Sequence, residues 1–134
     1  MRRFLLGALV TLAMAVPAVA DTKDEVTAVI QSQIEAFLAD DFATAFTFAS
    51  PGIKEMFGSS DRFGLMVREG YPMVWRPAEV QYLELRTEGG YTAQRVLITD
   101  QNGASHILEY QMIPAGDGWQ IAGVRILRAA GVGA

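Results

Sequence analysis

Residues 80–113 read VQYLELRTEGGYTAQRVLITDQNGASHILEYQMI, three runs of aliphatic, β-branched and aromatic residues parted by Gly89-Gly90 and Asn102-Gly103. Apolar residues recur with a period near two, and Gly-Gly and Asn-Gly are the dipeptides that tight hairpin turns demand. The pattern predicts strands over residues 80–87, 91–100 and 104–113. A fourth is predicted over residues 119–127, after the turn-rich Pro114-Ala115-Gly116-Asp117-Gly118. Residues 73–76 read as a short fifth strand, ended by Pro77 at an edge or bulge.

Taking both turns as two-residue loops sets the alignment. Thr99 then faces His106, Leu97 faces Leu108 and Arg95 faces Tyr110. Across the other hairpin Glu84 faces Arg95 and Tyr82 faces Leu97. One side of the sheet carries Tyr82, Glu84, Arg95, Leu97, His106, Leu108 and Tyr110. The other carries Leu83, Leu85, Val96, Ile98, Ile107, Val124 and Ile126, with Gln94 and Glu109 among them. Both sides are rich in apolar residues. Helices preceding a sheet cover one side only; given the aromatic-rich side with Tyr82 and Tyr110, they leave the aliphatic side open, which predicts a homodimer through the outer sheet face.

Upstream, the apolar period is 3.6. Val26, Val29, Ile30, Ile34, Phe37 and Leu38 form one stripe of a helix over residues 22–39, opened by the capping-box pattern Thr22-Lys23-Asp24-Glu25. Asp40 and Asp41 read as caps leading into a second helix, 42–49. Ser50-Pro51 ends it and can open one more turn through Phe57. A third helix starts at Ser59 or Ser60 and stops at Gly70 before Pro72. Phe37, Phe42, Phe46, Phe57 and Phe63 read as core. The class is α+β: three N-terminal helices packed on a curved antiparallel sheet of four to five strands.

Residues 1–20 have the layout of a secretory signal: Arg2-Arg3, an apolar run from Phe4 to Val16, then Pro17 and Ala18-Val19-Ala20. Cleavage is expected after Ala20, into the periplasm or the medium, with no membrane insertion afterwards. Residues 21–128 read as one domain and 129–134 as a flexible tail. Among 134 residues, 51% are apolar, 11 are basic and 15 acidic, for a net charge of −4 that falls to −6 once Arg2 and Arg3 leave with the signal. That balance lacks the basic footprint of a nucleic-acid binder. With no cysteine and one histidine, disulfides, thiolate metal sites, multi-histidine sites within the chain and a cysteine nucleophile are excluded. No Gly-rich strand-to-helix turn suits a phosphate, and neither cofactor nor metal is expected.

The segment Phe37-Leu38-Ala39-Asp40-Asp41-Phe42 and the ending Asp117-Gly118-Trp119-Gln120-Ile121 resemble the nuclear-transport-factor-2-like superfamily. The block Met66-Val67-Arg68-Glu69-Gly70-Tyr71-Pro72-Met73-Val74-Trp75-Arg76-Pro77, with Phe57-Gly58 and Glu109-Tyr110-Gln111-Met112, is similar to the bacterial domain-of-unknown-function family 4864. The resemblance implies a cone-shaped α+β domain with an internal pocket and frequent sheet-mediated dimers. It implies no particular reaction.

Six residues stand out as candidates for ligand contact. Glu84, Arg95 and Tyr110 share a face in the derived alignment, either as a polar cluster that orients a carboxylate or carbonyl ligand or as a cross-strand ion pair. Gln33 interrupts the apolar stripe of the first helix, so its amide either bonds a neighbouring backbone or faces a cavity. Tyr71 and Trp75 lie where the superfamily's cones open and would line or plug that mouth. His106 has no acid beside it in this alignment, because Asp100 falls on the opposite face. Binding of a small, largely apolar molecule, or an accessory role through the sheet, therefore ranks above catalysis. The alternative is an isomerase or dehydratase of the ketosteroid-isomerase-like type, with Glu84 as base beside Tyr82 or Tyr110.

Overall fold

A computed structural model of the protein describes residue 7 and residues 21–128. The expected tail and all but one residue of the expected leader lie outside the described residues. Helices α1 (Thr22–Leu38), α2 (Phe42–Thr47), α3 (Pro51–Phe57), α4 (Ser60–Gly70) and α5 (Pro72–Trp75) precede a sheet of β1 (Pro77–Glu88), β2 (Tyr91–Asp100), β3 (Ser105–Ala115) and β4 (Gly118–Arg128). The sheet is an antiparallel meander in the order β1-β2-β3-β4.

The helices start where polar side chains can serve orphan backbone N–H groups. Asp21 accepts from Asp24 N at 2.8 Å, so the cap of α1 is one residue earlier than the Thr22 box suggests. Asp41 caps α2, Ser50 caps α3 with Pro51 in its first turn, and Ser59 caps α4. Residues 73–75 form the end of α5, with Arg76 as its C-cap, rather than a fifth strand. Pro72 takes the first helical turn, and the Arg76 N–H returns to Pro72 O at 2.9 Å.

The strand alignment differs from expectation by one residue between β2 and β3. Leu97 pairs with Ile107, Ile98 with His106, Arg95 with Glu109 and Gln94 with Tyr110. The cause is the Asp100 carboxylate, which accepts from the backbone N–H groups of Asn102 and Ala104, both at 2.9 Å. With Asp100 N bonded to Ala104 O, Gln101-Asn102-Gly103 becomes a three-residue loop, and Gly103 takes φ +82°. A one-residue slip turns every side chain of a strand over. Val96 and Ile98 are accordingly buried under the helices, and Leu97 faces out.

The Gly89-Gly90 hairpin keeps the expected alignment from Glu88↔Tyr91 to Leu85↔Gln94, then a bulge at Leu83-Glu84 shifts it and Tyr82 faces Val96. Gln94 is the reason the bulge holds. Its Nε2 donates to Leu83 O at 3.0 Å and Arg95 O at 2.8 Å, serving carbonyls that the interrupted ladder cannot. A bulge in β4 leaves Ala122 unpaired, and Ile121 beside it, opposite Met112, bonds Phe48 O through its N–H and Ser50 N through its C=O, each at 2.8 Å. That clasp ties the α2–α3 junction to the sheet.

Val26, Ile30, Ile34 and Phe37 of α1, Phe63 and Val67 of α4, and Met73 and Val74 of α5 pack on Val96, Ile98, Leu108, Tyr110, Met112 and Ile121. The outer face is not the aliphatic surface that motivated a second copy. Arg95 reaches Glu84 at 3.0 Å and Glu109 at 3.4 Å, and Arg125 reaches Glu109 at 2.9 Å, so ion pairs occupy its middle.

A candidate ligand cavity under the helices

Where α1, α3, α4 and α5 meet the bulged part of β4, the helices leave a cavity of about 250 Å³. Gln33 and Phe37 come from α1, Ile53 and Met56 from α3, Phe63 and Val67 from α4, and Ile121 and Val124 from β4, with Tyr71 at the turn into α5. No lining residue is charged. Met56 is 75% exposed, so the cavity reaches the surface beside α3. At the ~30 Å³ that a water molecule occupies in the liquid, the space suits on the order of eight non-hydrogen atoms.

Two of the six candidates meet in this wall. Gln33, 3% exposed, donates from Nε2 to Ala45 O at 3.1 Å. Both readings of its amide thus hold together: one end bonds a backbone and the side chain lines the cavity. The Tyr71 hydroxyl donates to Val124 O at 3.2 Å, fastening α5's entrance to β4.

The other four lie elsewhere. Trp75 borders a shallow hollow with Arg76, Asp100 and His106. Its Nε1 donates to Asp40 at 3.0 Å, and the Arg76 guanidinium covers its ring at 4.0 Å from the centroid. Arg76 also donates to both Asp40 oxygens, at 2.8 and 2.9 Å, and to Phe37 O at 2.7 Å. Asp40 therefore does not cap α2. Its φ of +53° is sustained by these bonds, which close the C-terminus of α1. Glu84 and Arg95 form their expected ion pair, but on the outer face, as the slipped alignment requires. Tyr110 is fully buried on the inner face, and its hydroxyl has no hydrogen-bond partner among the described residues. Burial pushes its phenol far above the ordinary value, while Tyr82, whose hydroxyl donates to Gln31 Oε1 at 2.8 Å, is pushed up to about 12. The base-plus-tyrosine constellation of the catalytic alternative is thus split across the sheet.

The one-residue slip also creates a pair that sequence reasoning missed. His106 and Asp100 fall side by side, with Nε2 2.8 Å from Asp100 Oδ2. Because an ionised carboxylate only accepts, Nε2 is the donor. The cavity's apolar wall was legible only as core, since a residue facing a cavity and one facing another side chain carry the same periodicity. Among the described residues no cluster of three or more acidic or histidine side chains is placed to hold a metal ion, and no helix is long and apolar enough to cross a membrane.

Acid should weaken this arrangement. The hydrogen bond from His106 holds the Asp100 carboxyl below the usual range, those from Trp75 and Arg76 do the same for Asp40, and Thr44 does so for Asp41. Burial works to raise Glu109, but Arg125 and Arg95 together bring it below its ordinary value. Each group releases its proton more readily folded than unfolded. Their contribution is complete above the ordinary carboxylate range, about pH 4, and is lost as pH falls through the lower folded values. Thermal melts should show a midpoint that drops below about pH 4, and less steeply in Asp100→Asn, although screening keeps each exposed group's share small. An unchanged slope in that variant would remove Asp100 from this account.

The profile of a domain-of-unknown-function family, DUF4864, matches residues 19–134. The chain belongs to the DUF4864 family. A comparison of this DUF4864 chain with curated proteins finds no significant match. Among solved structures, a phospholipid-binding protein from Ralstonia solanacearum, determined in complex with a phospholipid, is similar in fold. The two are 12% identical, with a TM-score of 0.50 over 81% of the DUF4864 chain and 79% of the other. At that identity the likeness establishes a shared fold.

Proposed function

We propose that this DUF4864 domain is a binding module for a small, largely apolar molecule, held in the cavity between α1, α3, α4, α5 and β4. The carrying observation is the uncharged wall that opens at Met56 and contains one deeply buried amide, Gln33. Concave, mostly apolar sites with few polar groups are how proteins hold apolar ligands. That a protein of similar fold binds a phospholipid supports the reading. We propose further that the domain acts after export, with cleavage following Ala20. Asp21, the first residue left, caps α1, so cleavage there keeps the fold's first hydrogen bond. The architecture accords with the nuclear-transport-factor-2-like superfamily.

Native mass spectrometry of protein recovered from the exported fraction tests both points. The subunit mass should begin at Asp21 and carry a retained small molecule, which the cavity-filling change Val67→Phe should expel. Bare subunits from both proteins, before and after equilibration with a lipid extract, would overturn the binding module. A mass that still includes Met1 would overturn cleavage.

A further inference from the structure

The polar groups of the cavity wall are unequally satisfied, and this bears on the ligand's chemistry if the cavity is the binding site proposed above. The proton of the Tyr71 hydroxyl is committed to Val124 O. At Gln33, only an N–H can donate to Ala45 O, so the amide's orientation is set by that bond. Oε1 is then the group left over, and it accepts no hydrogen bond among the described residues. A donor-free ligand that shuts this oxygen off from water leaves it without a proton, which is costly, whereas a ligand bearing a hydroxyl supplies one. A carboxylate does the opposite. It would lose its hydration in a wall without a cation, face the Gln33 oxygen, and approach a chain that already carries excess negative charge.

We propose that the cavity selects uncharged ligands bearing a hydroxyl, with Gln33 Oε1 accepting from that hydroxyl, over carboxylates and donor-free molecules of the same size. Octanol, its isomer heptyl methyl ether, and heptanoate have equal numbers of non-hydrogen atoms and match the cavity's volume, so they differ in the feature at issue. Binding is followed by the backbone amide shifts of Val67 and Val124 at neutral pH. Octanol should bind about tenfold more tightly than the ether, the worth of one well-placed hydrogen bond, and heptanoate more weakly than either. In Gln33→Met, which keeps side-chain length but has no acceptor amide, octanol and ether should bind within about twofold of each other.

Equal affinities in the unaltered protein, or heptanoate binding most tightly, would overturn this inference and leave the cavity reading standing. A preference for octanol that survives in Gln33→Met would take the role from Gln33. No shift of Val67 or Val124 with any of the three would sink the cavity reading itself. Should Gln33→Met fail to fold because Ala45 O loses its side-chain donor, the three-ligand comparison on the unaltered protein decides alone.

Discussion

Phe37→Ala lowers the unfolding free energy by about 3–5 kcal/mol, the cost of removing a fully buried aromatic ring whose site cannot collapse. Phe37 has no exposed surface, and its ring lies 6.3 Å from that of Phe42 and 5.8 Å from that of Phe63, between centroids. It also borders the cavity, so truncation enlarges an existing void instead of opening one that neighbours could close. Against a total stability of roughly 5–15 kcal/mol for a domain this size, that loss is large. The urea midpoint should fall sharply with little change in slope. Met56→Ala, on the same cavity but largely exposed, should stay within about 0.5 kcal/mol of the parent. Equal effects at the two positions would mean that Phe37 is not part of the packed core.

Gly64→Ala should destabilise by about 1–3 kcal/mol, although alanine favours a helix interior by ~1 kcal/mol over glycine. Gly64 is buried in α4, and a Cβ there would fall on the Phe42 ring, closest to Cγ and the two Cδ atoms. Rotating the ring moves the Cδ atoms but not Cγ, so α2 must move away from α4. The Phe46–Phe63 contact, 5.3 Å between centroids, moves with it. Chemical denaturation of Gly64→Ala and of the double variant Gly64→Ala, Phe42→Ala separates the causes. If the clash dominates, the double variant loses less than the sum of the two single losses. Additive losses would show that the loss in Gly64→Ala does not come from the Phe42 ring.

The elements of this fold were readable because each is set by neighbours in sequence. The stripe Val26, Ile30, Ile34, Phe37 fits one helix face whatever packs on it, and Gln33 stood out because it broke that stripe. Ser50-Pro51 marked a helix start correctly, though the helix proved longer than one turn. The Gly89-Gly90 turn has φ values of +56° and +83°, which glycines adopt without strain, so its hairpin aligned as expected near the tip. The other hairpin misled because Asn102-Gly103 suits a two-residue turn equally well, and only the Asp100 side chain, bonding two backbone N–H groups, selects the longer loop. That single choice decides whether Leu97 or Ile98 enters the core, whether Arg95 meets Tyr110 or Glu109, and whether His106 has an acid beside it.

The amino-acid sequence by itself determined the helix-then-sheet order, the α+β class, the helix-forming apolar stripes and the meander, since periodicity and capping act over a few residues. Tertiary structure alone decided the sheet's faces and the site. Bulges at Leu83-Glu84 and in β4 change strand phase in ways no local pattern records, being held by Gln94 and by the clasp between Ile121 and residues 48–50. A cavity is the volume that several elements fail to fill, so it exists only once they are packed together.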